Sequence, residues 1–213
     1  MSEQYQDKVL EILRKVGAII TDSHLVYTSG KHGSVYINKD AVYPHTADIS
    51  EICKMMAQIF KDSDVQVVAS PSLGGIILSQ WVAHHLSQMK GKEILGVYTE
   101  KTPEKNQIFT RGYDKQVKGK KVLVVEDITT TGGSVRKVVD SVKAAGGEVL
   151  GVCVMVNRNT EINDEVVGAP FHPLVFMKAE AFDEADCPLC KQNVPINTEV
   201  GKGREYLAKK KTQ

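Results

Sequence analysis

No stretch of this sequence offers the roughly 20 consecutive apolar residues that a bilayer-spanning helix needs, so no transmembrane helix is expected. Charge of one sign is equally lacking. Lys and Arg total 27 against 26 Asp and Glu, so no overall field selects nucleic acid or an anionic membrane. The one local excess, Lys209-Lys210-Lys211, reads as a solvated tail. The opening "MSEQYQDKVLEILRKVG" is charged and amphipathic rather than a signal peptide, and a cytoplasmic protein is expected.

Several enzyme signatures are missing as well. Without a Gly-Lys-Ser/Thr element there is no Walker A loop, which disfavours nucleoside triphosphate hydrolysis. No GxGxxG follows a strand, and neither HExxH nor GxSxG occurs. Internal repeats and low-complexity linkers are absent too. Cysteine is scarce, at four residues. Cys53 and Cys153 lie in apolar surroundings and read as core thiols. Cys187 and Cys190 form "CPLC", the spacing of half a zinc site. No second pair exists and the closest candidate histidine is His172, so the expectation is a Pro-containing turn with two reduced thiols.

What is present is an alternation of buried strands and amphipathic helices. The spacing of Val9, Leu10, Leu13 and Val16 predicts a helix over 5–17, and that of Ile49, Ile52, Met56 and Ile59 one over 47–61. Between them, "HLVYTSGKHGSVYINKD" reads as a hairpin about a Gly-containing turn. Then follow "VQVVA", "GGIILSQWVAHHL", "ILGVYT", "KVLVVE", "GSVRKVVDSVKAAGG" and "VLGVCVMVN", with "PLVFM" as a last strand. Continuous apolar strands alternating with helices imply an α/β fold, a mostly parallel central sheet covered on both faces. Trp81 is assigned to the core, and His84 and His85 to the edge of the same helix. At 213 residues the chain fits one domain with a small appendage.

Ligands of open parallel sheets bind beyond the carboxyl ends of the strands. Three such ends carry unusual polarity: "ASPSLGGIIL", "VMVNRN" with Arg158, and "KVLVVEDITTTGGSVRK". In the last, Ser134 is expected to cap a helix whose buried stripe is Val135, Val138, Val139 and Val142, and which Gly146-Gly147 ends. Hydroxyls and glycine amides at a helix start suit a phosphate. The adjacent carboxylates Glu126 and Asp127 would repel it unless they faced ribose hydroxyls or a metal ion. A ligand with a 5-phosphate, a ribose diol and a metal-bound pyrophosphate satisfies all of these groups.

"VLVVEDITTTGGS" resembles the phosphoribosyl-pyrophosphate motif of the type I phosphoribosyltransferases, and the match narrows to their orotate-specific members over nearly the whole chain. The resemblance implies the type I fold over residues 1–213 as a single domain, with a small hood from about 1–45 and 171–213. It implies that Glu126, Asp127, Ile128, Thr129, Thr130, Thr131, Gly132, Gly133 and Ser134 bind the ribose phosphate, with the two carboxylates on the ribose hydroxyls. Ser72, Leu73, Gly74 and Gly75 would lie against the pyrophosphate, and Thr130 and Arg158 would contact orotate. It further implies a Mg2+ cofactor placed through Asp127, directly or indirectly, small-molecule substrates only, and a homodimer sharing a mobile loop.

That loop departs from the common family pattern of Arg-Lys-x-x-Lys-x-His-Gly. Lys101 matches a lysine, taken as catalytic, but Glu100 replaces the arginine, the histidine is absent, and Lys105 and Arg111 remain as alternatives. Lys31 and His32 at the hairpin turn are open between an approach to the base and a solvated turn. The implied reaction moves phosphoribose from phosphoribosyl pyrophosphate to orotate in pyrimidine biosynthesis. A purine phosphoribosyltransferase and a non-catalytic phosphoribosyl-pyrophosphate sensor are the rival readings.

Overall fold

The computed structural model describes residues 3–178 and 180–210. Helix α1 (Glu3–Lys15) buries Val9, Ile12 and Leu13 and turns Lys8 and Glu11 to solvent. Four short strands follow: β1 (Ile19–Ile20), β2 (Leu25–Val26), β3 (His32–Gly33) and β4 (Tyr36–Ile37). They form two antiparallel pairs, β1 with β4 and β2 with β3, as expected of the hairpin segment. Helix α2 (Thr46–Ile59) then leads into the alternating body.

The body runs β5 (Val67–Pro71), α3 (Gly74–Lys90), β6 (Leu95–Lys101), β7 (Gln107–Phe109), α4 (Tyr113–Val117), β8 (Lys121–Thr129), α5 (Gly133–Ala144), β9 (Glu148–Asn157), α6 (Asp164–Val167) and β10 (Phe171–Phe176). Its six-stranded sheet has the order β10-β9-β8-β5-β6-β7 and is parallel except for the β6–β7 pair. From β5 the chain moves outward to β6, then returns to place β8 on the other side of β5. The reversal opens a crevice between the carboxyl ends of β5 and β8, where such sheets bind ligands.

The side-chain period of two divides the core into two layers. Along β8, Leu123 and Val125 pack with Ile49 of α2 and Leu78 of α3, whereas Val122 and Val124 pack with Val135 and Val138 of α5. Continued one step, the alternation sends Glu126 and Asp127 to opposite sides of the sheet edge. Cys53 and Cys153 are buried free thiols, as expected, and burial pushes both thiol pKa values up. Trp81 packs half-buried against the core, and the half-buried His85 hydrogen-bonds Ser50 at 2.9 Å.

Two local expectations need correction. Helix α5 is capped not by Ser134 but by Gly132, whose φ of 74° is left-handed, a conformation glycine adopts without steric cost. Ser134 instead lies in the first turn, while Gly146-Gly147 end the helix as expected by donating to Lys143 and Val142 carbonyls. The Lys209–Lys211 run is not a free tail either: Lys210, at the end of helix α8 (Gly203–Lys210), pairs with Glu184. Lys211 lies outside the described residues, as do Met1 and Ser2 of the N-terminal stretch.

The segment after β10 folds back over the hairpin. His32 and Phe182 exchange both backbone hydrogen bonds at 2.8 Å, Asn197 N–H donates to the His24 carbonyl at 2.7 Å, and Lys202 N–H to that of Val26 at 2.7 Å. Helix α7 (Pro188–Lys191) carries the "CPLC" turn into the same region. Here the sequence reading of an isolated cysteine pair fails. His24 and His32 face Cys187 and Cys190, and His32 is wholly buried rather than at a solvated turn.

Candidate active site

The crevice is a cleft of about 510 Å3. The ends of β5 and β8 supply its floor: Ser72, Leu73 and Gly74 from one, Glu126, Asp127 and Ile128 from the other, with Ser134 at the start of α5. The peptide bond between Ser72 and Leu73 is cis. Arg158, one residue past β9, forms part of the wall, and the hairpin and C-terminal segments close over with Tyr27, Thr28, Tyr36, Gly201 and Lys202. Residues expected from three separate stretches of sequence are thus brought to one place.

Asp127 is the hub. Its Oδ2 accepts from Lys39 Nζ at 2.7 Å and from the Tyr43 hydroxyl at 2.5 Å, and its Oδ1 accepts from the Ile128 N–H at 2.6 Å. Gly74 permits this arrangement, because a Cβ there would collide with both the Tyr43 hydroxyl and Asp127 Oδ2. Burial pushes the Lys39 pKa down, but the charge and hydrogen bond of Asp127 outweigh it and leave the ammonium more basic than usual. Burial, and then the Asp127 charge, raises the Tyr43 phenol. Glu126 behaves differently. Desolvation and the neighbouring Asp127 charge push its carboxyl well above the usual range, and its Oε1 accepts from the Asp127 N–H at 3.0 Å.

The Thr/Gly loop is organised from within. Thr129 Oγ1 accepts from the Gly132 N–H at 3.0 Å and Thr131 Oγ1 from that of Gly133 at 3.4 Å. Thr129, Thr130, Thr131, Gly132 and Gly133 therefore shape the entry to α5 beside the cleft that Ser134 lines, and Gly75 is packed behind Ser70. Thr130 is exposed, and its carbonyl accepts from Asn159. The Arg158 N–H donates to the Thr129 carbonyl at 2.9 Å, while its guanidinium stands 5.2 Å from the centre of the Tyr27 ring. That contact holds the fork without consuming it in an ion pair.

Lys101 ends β6, exposed and outside the cleft lining. Of the loop alternatives, Arg111 is engaged by Glu100 at 2.8 Å, with Thr110 donating to the same carboxylate at 2.6 Å. The residue that replaces the family arginine thereby sequesters the nearby one. Sequence reasoning missed Lys39, Tyr43 and Lys202. Lys39 and Tyr43 follow the hairpin as an unremarkable "NKDAVY", with no local pattern to link them to a strand end 88 and 84 positions away.

Residues 38–167 match the phosphoribosyl transferase domain model. The chain is 36% identical over 193 residues to the orotate phosphoribosyltransferase of Caldanaerobacter subterraneus subsp. tengcongensis, covering 90% of this chain and 95% of that one. The crystal structure of Mycobacterium tuberculosis H37Rv orotate phosphoribosyltransferase superposes with a TM-score of 0.62 at 22% identity, over 80% of this chain and 96% of that one. An adenine phosphoribosyltransferase from Rhodothermus marinus does so nearly as well, at 0.59 and 21% identity, over 81% of this chain and 100% of that one. The fold therefore does not distinguish the base, whereas the full-length sequence relationship does. The chain belongs to the orotate phosphoribosyltransferase family.

Proposed function

We propose that this chain transfers phosphoribose from 5-phosphoribosyl 1-diphosphate to orotate, giving orotidine 5′-monophosphate and pyrophosphate. The observation that carries the reading is the convergence of the Glu126–Asp127 pair, the start of α5 and the Arg158 guanidinium on one cleft. The 5-phosphate belongs at the α5 N-terminus, the ribose diol at the two carboxylates and the orotate carboxylate at Arg158.

In the reaction the bond from ribose C1 to the pyrophosphate oxygen breaks, and a ring nitrogen of orotate bonds to C1. Positive charge gathers on the ribose while negative charge gathers on the leaving group. The chain supplies placement and fixed charge, not a nucleophile. Asp127, preorganised by Lys39 and Tyr43, faces the developing cation, and Lys101 is assigned to the leaving pyrophosphate when the loop carrying it approaches.

Mg2+ fits this donor set. Asp127 already accepts three protein donors, which leaves a site suited to a cation carried mainly by substrate oxygens and water. Once bound, the ion would neutralise charge on the pyrophosphate. A homodimer and a cytoplasmic location belong to the same reading.

Steady-state assays with orotate, adenine, hypoxanthine, xanthine and uracil test the base. Turnover with orotate alone is expected. Turnover only with a purine would overturn the assignment, and no turnover at all would leave the sensor reading.

A further inference from the structure

Outside the cleft, two histidines and two cysteines meet from segments that stand about 160 residues apart in sequence. His24 Nε2 is 2.9 Å from His32 Nδ1, 3.7 Å from Cys187 Sγ and 3.5 Å from Cys190 Sγ, and Cys190 Sγ is 3.3 Å from His32 Nδ1. All four ligand atoms lie within 4.8 Å of one another. In a tetrahedral site with the usual zinc bond lengths, the N···S edges span about 3.5 Å and the N···N edge about 3.3 Å. The three N···S distances of 3.3, 3.5 and 3.7 Å bracket that span, and the N···N distance of 2.9 Å is shorter than its counterpart.

Hydrogen bonding alone does not account for it. His24 Nδ1 is 2.7 Å from the Val194 carbonyl, which can only accept, so the proton sits on Nδ1 and Nε2 keeps one lone pair. His32 Nδ1 and both thiol sulfurs lie within 3.7 Å of that single lone pair. A cation at the centre removes the conflict, and the Val194 carbonyl then becomes the outer partner that orients a metal-bound imidazole. His24, His32 and Cys187 are almost entirely buried, and His32 Nε2 has no hydrogen-bond partner among the described residues. Two histidines and a thiol buried together, with a second thiol half-buried beside them, are a poor core but a standard ligand set.

We propose that His24, His32, Cys187 and Cys190 form a structural, four-coordinate Zn2+ site that staples the N-terminal hairpin to the C-terminal segment. Two thiolates and two imidazoles in a tetrahedral arrangement select Zn2+ among the common divalent ions. A closed ligand set leaves no position for substrate, so the site is structural, not catalytic. Its consequence for the cleft follows from the chain path. His24 immediately precedes β2, and Tyr27 and Thr28 just beyond it line the cleft, as do Gly201 and Lys202 from the stapled C-terminal segment. The metal would hold the hood in place over the bound base.

The metal content of the full chain, purified without chelators or metal-affinity resin, tests this independently of the substrate assignment. About one zinc per chain is expected, as for a closed four-ligand site. Cys187→Ser and His24→Asn should lose it. Because these variants can fail to fold, the wild-type chain is also stripped with chelator under reducing conditions and titrated with Co2+. Thiolate-to-cobalt charge transfer and intense tetrahedral d–d bands, saturating at one equivalent, would support the site. Restoring Zn2+ should raise Tm by at least about 5 °C, the scale of a bound stabilising ligand. A folded wild-type chain without stoichiometric metal that gives only octahedral cobalt spectra would overturn the proposal. So would a Cys187–Cys190 disulfide as the state of the purified active protein.

Discussion

Lys39 Nζ donates to Asp127 Oδ2 over 2.7 Å, joining the turn after the hairpin to the end of β8. The Asp127 side chain is 4% exposed and that of Lys39 36%, so the pair is neither a loose surface bridge nor a fully desolvated one. Removing Lys39 leaves a buried carboxylate with only Tyr43 and one backbone amide on it, which costs stability. Lys39→Met should therefore lower stability by about 1–2 kcal/mol, and Asp127→Asn in the same background should cost far less than it does alone. A urea-denaturation double-mutant cycle measures this, with a coupling of at least about 0.5 kcal/mol expected. Strict additivity would mean that the two residues do not act as a unit. Asp127→Asn alone should retain the wild-type circular dichroism spectrum and lose roughly 100-fold or more in kcat, the scale of removing one preorganised electrostatic contact.

Glu126 makes the opposite contribution to stability. Its pKa is raised by burial and by Asp127, with Lys39 as the nearby opposing charge. Above the unfolded value of about 4.3, the native chain binds a proton that the unfolded chain has released. Stability must then fall as pH rises through that window. Glu126→Gln keeps an oxygen for the Asp127 N–H and removes the penalty. Its Tm should exceed the wild type at pH 8 and converge with it near pH 4, while turnover drops. A variant less stable than the wild type at pH 8 would show that the carboxylate serves the fold rather than the ligand.

These two carboxylates also mark what was readable from the sequence. Apolar runs bounded by Gly and hydroxyl residues identified β5, β8 and β9, because strands buried on both faces have to be apolar throughout. The Val135–Val142 stripe likewise identified α5. Lys39, Tyr43 and the His24–His32–Cys187–Cys190 cluster were not legible. Each depends on chain segments that meet only after the sheet has formed, and nothing in the local pattern of a hairpin encodes which strand end it will cover. The cap of α5 differs from expectation for a smaller reason: the left-handed turn at Gly132 places the helix start two residues earlier than a Ser134 cap would.

Arg158 tests base recognition. Its backbone is fixed by the Thr129 carbonyl and its guanidinium lies against Tyr27, so a lysine would keep the charge but lose the planar fork. Arg158→Lys should raise KM for orotate about 10- to 100-fold, as expected when a bidentate carboxylate contact becomes a single one. KM for phosphoribosyl pyrophosphate should change by less than about twofold if the two ligands meet separate parts of the cleft. Equal loss for both substrates would place the arginine at the phosphoribosyl end instead.

Lys101 tests whether the proposed homodimer shares its sites between subunits. It sits exposed at the end of β6, outside its own cleft, while Arg111 is occupied by Glu100. If Lys101 stabilises the leaving pyrophosphate, Lys101→Ala should cut kcat at least about 10-fold with little change in KM for phosphoribosyl pyrophosphate. Co-expression with Asp127→Asn decides whether it acts across an interface. Two inactive chains that share sites in trans should regain roughly a quarter of wild-type activity, since half of the dimers are mixed and each holds one intact site. Sites complete within one chain would recover nothing, because every subunit would still carry one of the two lesions. Recovery would tie the rate to the dimer, and the activity of the wild-type chain should then fall on dilution below the dimer dissociation constant.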